Sequence, residues 1–511
     1  MFFMLWLIFK ILNYYLFWPM AEIYLEWKLF EKWITDWTFI MKFDSFSLIF
    51  SFVVLLITIH IFFYSLSYMA LEKENLNFFM LMFFFMSSML ILIFSFNLSS
   101  ILIGWDGLGI TSFLLICFYH SNLSMNSSLI TVLINRVGDL MIIMSICIYL
   151  IFSTWNLNFF FSNSYWKILF ILASFKKKAQ LPFSNWLPKA MAAPTPVSSL
   201  GHSSTLVTAG VYMIFRLNPI MIYKTKFMFY LCFFTMLLKK IMAILKFDLK
   251  EIIAFSTLSH IKIMFMSMSL SNYTGTFFHL CTHALFKALI FMCAGYMIFC
   301  SGVQDIRKIN FYLLNPMVKF AFFYSIMTMI GVPFLSGFSS KEYIIDNAME
   351  MNSSILNLVL FISILLTSMY SLRFIVIFKK NFATKFKMVY INSTMSKSII
   401  SLMIFSLFSG SILQWMFLTL NFSVVLFNLK IFLIGILFMM MLFFFFFNFW
   451  NYKTFQFYNL FFCLYFFSFK FFNNKKIYIC LEKNWLFFSI NFIVQSMNWL
   501  NKVFYQKILL F

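Results

Sequence analysis

Charge is scarce in this chain. Only 11% of its 511 residues are Asp, Glu, Lys or Arg, against 63% that are hydrophobic, too little to cover a soluble protein of that length. Acidic residues are scarcer still, 16 against 38 Lys and Arg, for a formal charge of +22. No soluble basic face gathers that excess, which argues against nucleic-acid binding. It fits helix ends and loops that meet the headgroups of membrane lipids. The eight cysteines lie mostly inside apolar runs and form no C-x-x-C pair, so they read as small buried hydrophobes and not as a disulfide framework. Strict apolar–polar alternation is missing too. A stretch such as FFMLMFFFMSSMLILIF (78–94) is apolar on every face, which excludes a transmembrane β-barrel. The opening MFFMLWLIFKILNYYLFW lacks a basic n-region and a small-residue cleavage site, so it is expected to persist as a helix.

What the chain has in quantity is apolar length. Runs of about 20 residues, enough to cross a bilayer, recur at 78–96, 129–152, 227–247, 354–378 and 428–449. Roughly fourteen to sixteen spans are expected by hydropathy. The fold class is therefore an all-α polytopic membrane protein. The 79 Phe, with only 13 Gly and 8 Pro, match AT-rich coding pressure more than any demand of the bilayer.

Against that background the polar residues at membrane depth carry the information, because each costs about 2.5–3.5 kcal/mol on insertion scales. Asp106 lies in LIGWDGLGITSF, where glycines permit close helix approach. Arg136 and Asp139 in NRVGD stand i, i+3 on one helical face and read first as an ion pair. The stretch 174–205, SFKKKAQLPFSNWLPKAMAAPTPVSSLGHSST, gathers Lys177, Pro182, Pro188, Pro194, Pro196 and His202. Proline breaks helices, and irregular backbone at membrane depth survives only inside protein or beside water. A discontinuous helix carrying a lysine into the bundle is the expectation. FFHLCTHALFKALIFMCAG sets His279, His283 and Lys287 at i, i+4 and i+8, within about 80° of one another. No carboxylate follows them, so a titratable stripe is expected there and not a metal site. GVPFLSGFSSKEY repeats the break, with Pro333 and Gly337 ahead of Lys341 and Glu342. Lys177 and Lys341 are 341 − 177 = 164 residues apart, about five membrane helices, as an internal repeat with two discontinuous helices requires.

In order along the chain, GWDGLG, NRVGD, KAQLPFSNWLPKAMAAPTPVSSLGHSSTLVTAGVY, FDLKEIIAFSTLSH, HLCTHALFKALIFMCAG, QDIRKI and GVPFLSGFSSKE resemble the chain 5 family of NADH–ubiquinone oxidoreductase, the antiporter-like membrane subunits of mitochondrial complex I. The likeness covers roughly 80–375. It implies N-terminal membrane helices over 1–77, an antiporter-like proton-translocating core over 78–378, and C-terminal membrane helices over 379–511. A lateral amphipathic helix at 481–504 belongs to that last part. It further implies a relay of Asp106, Lys177, His202, Lys287 and Lys341 across the mitochondrial inner membrane, with Asp106 pairing with the lysine of the first broken helix. Other membrane-arm and accessory subunits would be partners, and FMN and iron–sulfur clusters would reside in them, with no cofactor in this chain. Where the family has small or hydroxyl residues beside its lysine, this chain has Lys176 and Lys178, which leaves open which of the three titrates. Lys189 and Lys262 likewise replace neutral residues. A stand-alone Mrp-type cation/proton antiporter, a sister antiporter-like chain and a purely structural scaffold are the competing readings.

Overall fold

A bilayer offers no water to backbone N–H and C=O groups, so each apolar run has to satisfy them within itself, as a helix does. The computed structural model describes residues 22–30, 37–151, 164–177, 179–180, 183–184, 186–217, 225–309, 314–349, 354–378, 393–418 and Gly435. It opens with two strands, β1 (Ile23–Phe30) and β2 (Trp37–Phe43), followed by α1 (Ser45–Tyr68), α2 (Asn75–Phe94), α3 (Leu98–Cys117) and α4 (Asn122–Ile151). Next come α5 (Ser164–Lys177), α6 (Trp186–Ala190), α7 (Thr195–Leu200), a π-helical turn over Gly201–Thr205, and α8 (Leu206–Leu217). The rest is α9 (Thr225–Leu245), α10 (Leu249–Ser269), α11 (Tyr273–Ser301), α12 (Pro316–Ile330), α13 (Ser336–Met349), α14 (Ser354–Phe378) and α15 (Ser393–Leu418).

Among the described residues seven helices (α1–α4, α10, α11 and α15) are long and apolar enough to cross a membrane, and the protein is a multi-pass α-helical membrane protein. Other expected spans fall on helices that are short, broken or lysine-bearing. Those after 418, and the lateral segment 481–504, lie outside the described residues. Within the stretch read as membrane helices, 1–77, α1 is long and apolar enough to span, the opening helix expected at 1–18 lies outside the described residues, and ahead of α1 stands an antiparallel hairpin with Ile23 opposite Phe43 and Trp27 opposite Phe39. The signal was present as a period of two: Ile23, Leu25 and Trp27 alternate with Tyr24, Glu26 and Lys28, a pattern that hydropathy averaging hides.

Burial divides the helices by role. In α10 and α11, 94% and 83% of the apolar window is buried inside the protein, against 44% in α2 and 33% in both α4 and α15. The first two form the axis; the others turn a face outward. One end is pinned by charge. Lys42 reaches Glu22 at 3.0 Å and Asp44 at 3.3 Å, and Arg216 of α8 closes on Asp44. Arg216 Nε also donates to the Tyr212 hydroxyl at 2.9 Å, which donates to the Ile93 carbonyl at 3.0 Å. The hydrogen bond from Lys42 holds the Glu22 carboxyl below its ordinary value.

Two interruptions position the polar residues. At the first, α5 stops at Lys177 and Ala179 adopts a left-handed φ of 48°. The Ala179 and Gln180 amides then close on the carbonyls of Lys176 (3.2 Å) and Phe175 (3.1 Å), an ending that spends orphan acceptors. Pro182 lies outside the described residues. Pro188 falls inside the one-turn α6, Pro194 caps α7, and Pro196 sits in its first turn, where a missing N–H costs nothing. At the second, α12 ends on Gly331 with φ +92°, Pro333 occupies the turn, and α13 begins at Ser336. Gly337 lies so close to α12 that a Cβ there would overlap the Thr328 carbonyl oxygen.

Two expectations follow from this frame. Stability contributed by the lowered Glu22 carboxyl is present above the unfolded value of about 4.3 and is lost as pH falls through the folded one. Amide exchange over 23–30, corrected for intrinsic rates, should therefore rise below about pH 4, and Glu22→Gln should abolish that rise. Gly337→Ala should cost about 1–3 kcal/mol or more by overpacking, read as loss of the assembled protein on native gels.

Candidate functional site

Buried amines need partners, and the sequence supplies few carboxylates to give them. Lys177, 1% exposed, crosses to α3, where its Nζ donates to the Trp105 carbonyl at 2.9 Å and stands 3.7 Å from the centroid of the Trp105 ring. Lys176 points the other way and donates to the Val137 carbonyl of α4 at 3.0 Å, while the Trp186 indole donates to the Lys176 carbonyl at 3.1 Å. Two of the three consecutive lysines are thus interior, on different neighbours; Lys178 lies outside the described residues. Asp106, one residue past the Trp105 carbonyl, meets Arg136 at 3.5 Å, and Arg136 meets the buried Asp139 at 3.3 Å. The carboxylate stands in an Asp–Arg–Asp row beside the lysine, with Arg136 as its ion-pair partner.

His202 sits in the π-helical turn, buried, its ring 6.4 Å from that of Trp186. A π turn widens the helix and recurs at functional sites. The turn is lined by hydroxyls: Ser204 and Thr205 donate to the Leu200 carbonyl at 3.2 and 3.0 Å, and Ser203 to that of Ser199. The His202 Nδ1 has no protein partner, and neither has either side-chain amide atom of Asn135. Both residues line a cavity of about 10 Å³ with Ser112, Thr131 and Trp186, the least room a water needs. Sequence reasoning passed over Asn135, although it opens the NRVGD motif.

The second half gathers on α10–α13. Lys287, wholly buried at the middle of α11, donates to the Ser256 hydroxyl at 2.7 Å and touches the Met329 sulfur at 3.0 Å. Lys341 donates to the carbonyls of Met329 and, at 3.2 Å, Ile330. These are terminal acceptors of the broken α12, the end that favours a cation. Both amines therefore converge on Met329, Lys287 at its sulfur and Lys341 at its carbonyl. His279 and His283 line the same face of α11 as Lys287, as their spacing requires. His260 of α10 joins them, ring centroids 5.5 Å from each. Glu342 follows Lys341 on α13, half-buried. Among the described residues no group of three His, Cys, Asp or Glu is arranged to hold a metal.

The family description "NADH:quinone oxidoreductase/Mrp antiporter, TM" matches residues 95–367, the segment that carries every one of these groups. NADH-ubiquinone oxidoreductase chain 5 of Locusta migratoria is 41% identical over 419 residues, covering 78% of this chain and 73% of that one. The chain belongs to the NADH-ubiquinone oxidoreductase chain 5 family. Its Aedes aegypti member is 40% identical over 77% of this chain and 70% of its own. The Artemia franciscana member is 45% identical over 61% and 58%. In fold, the chain is similar to the Mrp complex from Dietzia sp. DQ12-45-1b (TM-score 0.69, 22% identity, 79% of this chain and 46% of that chain). The membrane-bound sulfane sulfur reductase, an archaeal respiratory membrane complex, also reaches a TM-score of 0.69, at 17% identity over 79% of this chain and 70% of its own. As a member of a multi-subunit oxidoreductase family, the chain assembles with other subunits.

Trp105 is the site residue least visible in sequence, since its role comes from a lysine 72 positions away. A desolvated cation–π contact contributes about 2 kcal/mol. Trp105→Leu should accordingly slow quinone-linked NADH oxidation severalfold, with Trp105→Phe intermediate.

Proposed function

We propose that this chain carries protons across the mitochondrial inner membrane as the antiporter-like subunit of complex I. Lys177, His202, Lys287 and Lys341 act as carriers, and Asp106 as the electrostatic switch. The observation that carries the reading is the spacing of buried amines and imidazoles along both helix breaks, at membrane depth, where each costs about 2.5–3.5 kcal/mol and none forms the hydrophobic core. FMN, iron–sulfur clusters and the quinone belong to partner subunits, whose electron transfer supplies the driving force.

The steps use groups already placed. Lys177 stands between two alternatives: the Trp105 carbonyl it now touches, and the Asp106 carboxylate one residue further on, now held by Arg136. Rotation of Asp106 from Arg136 towards Lys177 favours the ammonium form, so the amine takes a proton from the aqueous side. Return of Asp106 to Arg136 removes that support, and the proton passes towards His202 by way of water held between His202 and Asn135. Lys287 takes it up beside Ser256, and Lys341 delivers it from the end of α12. Each crossing works against about 2.3 kcal/mol per 100 mV, so the switch has to be driven; a passive wire would run backwards.

Lys177→Met and Lys341→Met, each in the assembled complex, should lower both NADH oxidation and proton pumping at least fivefold while the complex remains intact on a native gel. Unchanged pumping in both variants would sink the relay. Migration of the chain in a small band without NADH-oxidising activity would transfer the reading to a cation/proton antiporter, to be tested by ion flux in vesicles.

A further inference from the structure

The relay leaves the three buried histidines of α10 and α11, His260, His279 and His283, without a part. His260 lies on α10, fully buried, one helical turn after Ser256, the hydroxyl that receives Lys287. Its Nδ1 is 3.3 Å from Nε2 of His279, and His279 Nδ1 is 2.9 Å from the Ser340 hydroxyl, the residue preceding Lys341. Three helices, α10, α11 and α13, are thereby joined by one line of side-chain hydrogen bonds. Beside it, both ring nitrogens of His283 and the His260 Nε2 have no protein partner.

The hydrogens of that line can be counted. A neutral imidazole has one donor and one acceptor. Ser340 Oγ lies 2.9 Å from His279 Nδ1 and 3.3 Å from the Ser336 carbonyl, and it accepts from the Thr282 hydroxyl at 3.2 Å. Its one hydrogen goes either to that carbonyl or to His279. In the first case His279 Nδ1–H donates to Ser340, its Nε2 is bare, and His260 Nδ1–H donates to it; in the second both imidazole bonds run the other way. The two rings are therefore coupled: turning His260 alone would set two acceptors, or two donors, against each other in a site without bulk water, at the cost of an unmade hydrogen bond.

We propose that His260 is a positioning residue of the second half of the proton path. By its hydrogen bond to His279 Nε2 it couples the tautomers of the two rings and holds the orientation of His279 against Ser340, the residue preceding Lys341. The inference rests on the relay reading above. What the role demands is a hydrogen-bonding group at the His260 position, not a titrating one. A glutamine can meet that demand with its amide; leucine cannot.

The test compares His260→Gln, His260→Leu and Ser340→Ala in the assembled complex, with Lys341→Met alongside. Readouts are protons pumped per NADH, NADH oxidation normalised to assembled complex, and the solvent deuterium isotope effect. His260→Leu should fall at least fivefold in pumping-linked turnover with a raised isotope effect, because proton transfer becomes limiting; His260→Gln should stay within twofold of wild type. Ser340→Ala, which removes the other partner of His279, should match His260→Leu and add little to it in the double variant. If His260→Leu fails to assemble, Ser340→Ala decides alone: its loss supports the proposal and wild-type turnover overturns it. Wild-type turnover in His260→Leu, or equal loss in His260→Gln and His260→Leu, also overturns it. A Lys341→Met variant that pumps normally condemns the relay itself; a Lys341→Met loss beside an intact His260→Leu condemns only the role of His260.

Discussion

The arrangement depends on amines satisfied by backbone carbonyls. Lys176, Lys177 and Lys341 each donate to a main-chain oxygen of a neighbouring helix, and Lys240 and Lys250 do the same with Ser363 (2.8 Å) and Ala193 (3.0 Å). A carbonyl dipole steadies an ammonium less than a carboxylate would, yet leaves no orphan charge when the proton departs. Two full charges bound face to face in a medium of low dielectric would be hard to separate. Dipolar partners keep both protonation states tolerable, which a carrier requires and a structural ion pair does not.

This also accounts for the helix breaks. An intact helix offers few free acceptors, because each carbonyl is already engaged four residues on. Ending α12 at Gly331 releases the oxygens of its last turn, and Lys341 folds back onto them across the Pro333 turn. At the first break the amine borrows an acceptor from within α3, and the Trp105 face beneath it supplies attraction that an isolated oxygen lacks. The two halves therefore meet the same need by different local means, which is why their likeness is one of pattern and not of residues.

The sequence made much of this legible. Prolines and glycines beside lysines marked the interruptions, because so few breakers exist elsewhere, and a spacing of four placed His279, His283 and Lys287 on one face. Contacts between distant segments were beyond its reach. Nothing in GWDGLG tells that Trp105, and not Asp106, receives the lysine, or that Arg136 holds the aspartate. His260 stood in a recognised motif without a role, since its partner lies on another helix. Three lysines in a row could not be ranked, and the structure turns Lys176 and Lys177 to opposite neighbours. The hairpin was missed because averaged hydropathy reads twenty greasy residues alike whether their period is two or 3.6.

The row Asp106–Arg136–Asp139 has a further consequence. Arg136 is the midpoint of α4 and its side chain is 49% exposed; Asp106 is mid-helix in α3 and 28% exposed. Standing alone, the chain would hold a guanidinium against hydrocarbon. A surface that covered this part of α3 and α4 would relieve that penalty, adding escape from lipid to whatever contacts it makes. The same charges thereby make a copy without its neighbours the less settled membrane resident.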